Sequence, residues 1–189
     1  MPLGAARFGL LGGVADLGKL ELIETKTISS ASSAIFTSLQ ESTYDVHLMT
    51  VNNYIASNDG VTLNIRFYES GVEESGSVYH YSYEYGSSGA VSFGNSRSTG
   101  FSALSLSATT GNQPREVGNS VSYFYNLGNS GRYSSQTTIN TNIRSDGSYI
   151  MSYGVGQLPQ TSVVDQLKVL VLSGTFDADI SLYGISKEE

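Results

Sequence analysis

The chain contains no cysteine and no tryptophan, only three prolines and two histidines, and charged residues fill just 14% of its 189 positions. Each scarcity removes a class of answer. Without cysteine there is neither a disulfide framework nor a thiolate zinc or iron–sulfur site. Ten Lys and Arg against seventeen Asp and Glu, net −7, leave no basic stripe to neutralise phosphates, which argues against a nucleic-acid partner. No apolar run approaches the roughly 20 residues of a membrane-spanning helix, so membrane insertion is not expected. With only His47 and His80, and no Gly-x-Ser-x-Gly elbow, the parts for nucleophilic hydrolysis are missing. The chain is expected to be no enzyme and to need no cofactor.

What is abundant is small and neutral. Glycine occurs 21 times and tyrosine 13 times, while Ser, Thr and Asn together fill more than a quarter of the chain. Solubility must come from neutral polar groups instead of the about 25% charged residues of an ordinary domain. Much tyrosine with little proline favours strands. Residues 1–19 differ from the rest: Phe8, Leu10, Leu11, Val14 and Leu17 stand irregularly between glycines, with neither helical nor strand period. The glycines also spoil a signal-peptide apolar core. This segment is expected to be an extended anchoring arm that orders on a neighbouring subunit, leaving 20–189 as one domain.

From residue 20 the pattern is β. Strands are expected over 20–28, 34–39, 44–51, 61–68, 77–85, 120–127, 132–144, 148–154, 163–172 and 175–185. Turns are marked at Asn58-Asp59-Gly60, Asp146-Gly147 and Ser173-Gly174, where Asp and Gly tolerate φ > 0. Residues 86–118 read as long loops with one or two short strands. In 132–144, Tyr133, Thr137, Ile139, Thr141 and Ile143 share one face. Arg132, Gln136, Thr138, Asn140, Asn142 and Arg144 share the other, which predicts a strand with one face in water. The run LKVLVL predicts a central strand buried on both faces. About ten strands without an amphipathic helix imply an all-β, antiparallel β-sandwich, most simply a jelly roll.

Two local features carry chemistry. Alternation puts Tyr79, Tyr81, Tyr83 and Tyr85 on one face of their strand, opposite His80, Ser82 and Glu84. Such a ladder suits packing or an oligomer interface, because tyrosine joins apolar area to a hydroxyl satisfied at a damp boundary; exposed, the same rings would stack on sugars. Tyr123 and Tyr125, with Val121 and Leu127, read as core or interface. Asp177 and Asp179 share one face about 7 Å apart and are the nearest approach to a Ca²⁺ site or a glycosidase pair. No metal is expected; a solvent-facing edge that discourages strand pairing is the simpler reading. The neighbours Glu73 and Glu74 read as a solvated loop.

The opening segments LELIETKTISSASSAIFTSL and YDVHLMTVNNY, paired with the closing SGTFDADISLYGI, resemble structural proteins of tailed bacteriophage virions. The resemblance implies a jelly-roll domain on the virion exterior, decorating or cementing the capsid or forming part of the tail or its fibres. Its partners would be capsid or tail proteins of the same virion and further copies of itself, a trimer first. The alternative is a carbohydrate-binding receptor-recognition module at a fibre tip, with a host-surface glycan as partner.

Overall fold

A computed structural model describes residues 19–89 and 93–185. Phe8, Leu10, Leu11, Val14 and Leu17, expected to form an anchoring arm, lie outside these. Among the described residues there are thirteen strands and no helix, arranged as two antiparallel sheets packed face to face. Numbered in chain order, the larger sheet runs β1 (Leu20–Ala31), β13 (Phe176–Ile185), β3 (Val46–Ala56), β9 (Gly118–Tyr125), β10 (Ser134–Ile143), β11 (Tyr149–Leu158), β6 (Tyr79–Ser87), β7 (Gly94–Phe101). The smaller runs β2 (Ser33–Phe36), β12 (Val164–Val171), β4 (Leu63–Glu69), β5 (Val72–Glu73), with β8 (Leu104–Ser105) also on β4.

The core lies under one half of the larger sheet. Ile180 and Leu182 of β13, with Met49 and Val51 of β3, face Ile65, Phe67, Leu167 and Val169 of the smaller sheet, all buried. Phe67 meets Tyr79 and Phe124 edge-on, with ring centroids 5.8 and 6.1 Å apart. Each such side chain contributes about 1.5–3 kcal/mol by leaving water. The LKVLVL strand is central, as β12 lies between β2 and β4. Its outward Lys168 escapes burial by reaching Glu73 at 2.7 Å.

Local signals placed the turns but not their partners. Gly60, Gly147 and Gly174 all take φ between 71° and 76°. Only Asp146-Gly147 closes a hairpin, β10 to β11, with Asp146 Oδ1 accepting from Ser148 N at 2.9 Å. The other two turns carry the chain from one sheet to the other.

Four expectations are corrected. Residues 86–118 contain an eight-residue strand, β7, paired with β6 at the sheet edge; GNSRSTGF has no alternation to betray it, since an edge strand of Ser, Asn and Thr needs none. β13 is no edge: it runs between β1 and β3, and Asp177 and Asp179 point outward from the sheet interior. Glu73 is not merely solvated, for Arg66 and Lys168 approach it at 2.8 and 2.7 Å. Although partial burial opposes its charge, hydrogen bonds from Lys168 and Arg66 hold its carboxyl below the usual range. The largest reversal is in β10. Gln136, Thr138, Asn140 and Asn142 are buried, while Ile139 is 61% exposed on the face expected to be inside. Likewise Val121 and Tyr123 of β9 face outward, and Ser120, Ser122 and Phe124 are buried.

Candidate functional site: a polar cleft between the sheets and an apolar outer face

The reversal in β10 has a physical cause. The smaller sheet has no strand beneath β10, β11 and β6 except the short β8; the space is taken by the irregular segment 105–110. Part of its backbone is already paired, since Leu106 N and Ser107 N donate to Leu63 O and Thr110 bridges Val61, but the Ala108 N–H and carbonyl lie outside these pairings and need other partners. The inner row of β10 provides them. Gln136 Nε2 donates to Ser105 O at 3.2 Å, Asn142 Nδ2 donates to Ala108 O at 3.2 Å, and Asn140 Oδ1 accepts from Ala108 N at 3.0 Å. Ser152 Oγ donates to the same Asn140 oxygen at 2.9 Å, and Ser122 and Thr138 share a hydroxyl–hydroxyl bond of 2.8 Å. Polar side chains here do the work of a missing strand.

The tyrosine ladder of β6 runs from core to cleft. Tyr79 is fully buried; its hydroxyl donates to Glu74 O at 3.0 Å and accepts from Phe67 N at 2.9 Å. Burial pushes its phenol up. Tyr81 and Tyr83 are half-buried and stacked, centroids 4.9 Å apart and planes 16° from parallel, with Phe101 edge-on to Tyr81 at 5.5 Å. Burial likewise raises the Tyr83 phenol. Tyr85 is half-buried over Gly94, where any Cβ would collide with its ring; a Cβ on Gly154 would collide with Tyr83. Gly94 on one flanking strand therefore leaves room for the Tyr85 ring, and Gly154 on the other lets β11 approach the β6 backbone at Tyr83.

Past the ladder two clefts open, of about 330 and 270 Å³, sharing Thr62, Tyr83 and Ser105 in their walls. The first is lined also by Tyr85, Asn140, Ser152 and Arg144, the second by Phe101 and Leu172. Of the charged types only Arg144 contributes to either wall.

The outer face of the larger sheet is the other unusual surface. One row across six strands reads Leu22, Tyr183, Leu48, Tyr123, Thr137, Val155, and the next Thr25, Ser181, Thr50, Val121, Ile139, Tyr153. Neither row holds a charge. Beside them lies a shallow hollow of about 710 Å³ between β10 and β7, bordered by His80 and Arg97.

The remaining candidates are placed as follows. Asp177 Oδ1 accepts from Ser30 N at 2.6 Å, where β1 bulges at φ 50°. Asp179 accepts from Thr27 Oγ1 at 2.8 Å and Asn53 Nδ2 at 3.4 Å, beside the β3 bulge at Asn53. Both carboxylates thus secure neighbouring bulges, and no group of three His, Asp or Glu able to hold a metal occurs among the described residues. His47 is buried in the core, its ring bonded through Nε2 to Leu39 O at 2.7 Å. His80 stands on the outer side of β6, away from it. Asn140, Thr138 and Ser152 were missed as site residues because an Asn/Thr row reads as a wet face. The available signal was its partner: small Ser152, Gly154 and Gly156 at alternate positions, facing a tyrosine ladder. Set against known proteins, the chain matches no protein-family model, and no curated protein is significantly similar to it in sequence.

Proposed function

We propose that the chain is a non-enzymatic structural protein of a phage virion. In this reading a jelly-roll domain stands on the particle exterior, tied to capsid or tail proteins through residues 1–19 and repeated as a homo-oligomer, a trimer in the simplest case. Eight strands support the jelly-roll part. β1, β13, β3 and β9 pair in that order in one sheet, and β2, β12, β4 and β8 in the other, the first and last strands meeting as a double-sheet roll requires. On that reading β5, β6, β7, β10 and β11 are additions.

The observation that carries the proposal is the outer face. Ile139 and Val155 are 61% and 56% exposed in the two uncharged rows, which Glu84 and Asp179 border. Six strands about 4.8 Å apart, over the about four residues that two rows span at about 3.3 Å each, give roughly 380 Å². That is about half of the about 800 Å² per partner of a standard interface, the rest falling to the flanking rows. Its occupant is another copy of the chain, since an uncharged face takes a neighbour without like-charge repulsion even at net −7.

Sedimentation of the purified protein tests this. We expect a defined oligomer that becomes monomeric, with unchanged circular dichroism, on Ile139→Asp or Val155→Asp. A monomeric wild type at tens of micromolar, on the order of common assay concentrations, overturns the assembly reading. Deletion of residues 1–19 is expected to leave a folded domain that no longer joins particles, and normal incorporation overturns the anchoring role.

A further inference from the structure

We infer that the paired clefts beneath β6, β10 and β11 form a saccharide-binding site spanning about two sugar units. This goes beyond assembly and does not depend on it, because the cleft lies on the opposite side of the larger sheet from the outer face.

The wall chemistry selects the ligand class. Tyr83 and Tyr85 supply rings of the kind that pack on the C–H face of a pyranose. Facing them, Asn140 has committed Oδ1 to Ala108 N and Ser152 Oγ, which fixes the amide plane; no hydrogen bond from its Nδ2 is found among the described residues. That group supplies two donors for ring hydroxyls. Thr62, Ser96 and Ser105 add hydroxyls that both donate and accept, as a polyol demands. An ordinary lipid has no use for such a wall, and a polyphosphate would need more than one cation. Volumes of about 330 and 270 Å³ that share Thr62, Tyr83 and Ser105 in their walls lie at the size of one sugar unit each, and the larger falls within the range of small-ligand sites by itself.

The site is also built in advance. Tyr83 is stacked on Tyr81, Tyr85 lies over Gly94, and Asn140 is bonded to its neighbours, so little ordering is needed on binding. Arg144 at the wall is the one group able to prefer a carboxylate-bearing sugar over a neutral one.

Titration calorimetry with lactose, cellobiose, N,N′-diacetylchitobiose and digalacturonate, following a glycan array, tests the inference. We expect at least one array glycan or disaccharide to bind. Tyr85→Ala should weaken it about tenfold or more, a loss of about 1.4 kcal/mol. Thr109 also lines the first cleft, and Thr109→Trp, which fills it without removing a side-chain hydrogen bond, should abolish binding while leaving thermal unfolding unchanged. Arg144→Gln separates the two sugar classes: it weakens only digalacturonate if the carboxylate is read. Absence of any glycan binding to the wild type, or binding that Thr109→Trp leaves intact, overturns the site. Neither outcome touches the oligomeric state, so failure here is distinct from failure of the assembly reading.

Discussion

β13 and β10 are ten-residue strands of the same sheet with opposite manners. β13 buries Phe176, Ala178, Ile180 and Leu182 and shows Asp177, Asp179 and Ser181 to the outside. β10 buries Ser134, Gln136, Thr138, Asn140 and Asn142 and exposes Ile139. The difference lies in what each strand covers. Beneath β13 are paired strands whose backbone is already satisfied, so apolar side chains gain by closing over them. Beneath β10 is an irregular segment whose Ala108 N–H and carbonyl lie outside any ladder and are met by Asn140 and Asn142, so amides gain instead. A strand's inward face follows from the needs of its cover, and hydrophobicity decides only when those needs are already met.

The sharpest way to break the comparison is to truncate isoleucine on each strand. Ile180→Ala removes a fully buried side chain and should cost about 2–5 kcal/mol. Ile139→Ala removes one that is 61% exposed and should cost under about 0.5 kcal/mol in the dissociated protein. Urea unfolding at concentrations where the chain is monomeric reads both. Equal losses would mean that Ile139 is covered within the monomer and would remove the outer face from the argument.

A smaller effect tests the polar row. Asn140→Ala leaves Ala108 N and Ser152 Oγ without their acceptor, for an expected loss of about 1–3 kcal/mol. The more specific sign is local: amide exchange should accelerate across 105–110 while β3 and β13 keep their protection. Uniform acceleration over both halves would show that the row serves general packing and not this segment.

How far this was legible in the sequence follows the same division. Where strands cover strands, alternation was enough when only one face is apolar: Leu63, Ile65 and Phe67 alternate with Asn64 and Arg66, whereas Met49 and Val51 alternate with the equally apolar Val46 and Leu48 and left the inward side open. β12 was identifiable as central from its apolar run. Where polar side chains replace a strand, the period of two survived but its sense did not, because Gln136, Thr138, Asn140 and Asn142 look the same facing water or facing unpaired carbonyls. β7 was hidden for a related reason, as an edge strand without an apolar row leaves no period to read. The tyrosine ladder was visible as a pattern, yet its graded descent from buried Tyr79 to the cleft at Tyr85 depends on Gly94 and Gly154 on strands distant in sequence. The turns were legible as turns, but Gly60 and Gly174 gave no hint that they pass between sheets.

His47 offers the subtlest contrast, a polar group stranded in the apolar half. It is fully buried; Nε2 donates to Leu39 O, leaving Nδ1 with no partner among the described residues. Tyr44 packs edge-on at 6.0 Å. Burial disfavours the imidazolium and lowers the pKa despite the bond to Leu39 and the field of Glu41. Since the folded pKa lies below the unfolded value of about 6.5, the unfolded chain takes up the proton first. The stability associated with neutral His47 is therefore complete above about pH 6.5 and is lost as pH falls toward the folded pKa, by at most about 1.4 kcal/mol per pH unit. His47→Gln keeps a donor for Leu39 O but does not titrate, so its stability should stay level between about pH 7 and 5.5, above the ordinary carboxylate range, while the wild type declines. Parallel curves would mean that the ring reaches solvent and that this half of the sandwich is less tightly closed than its side chains imply.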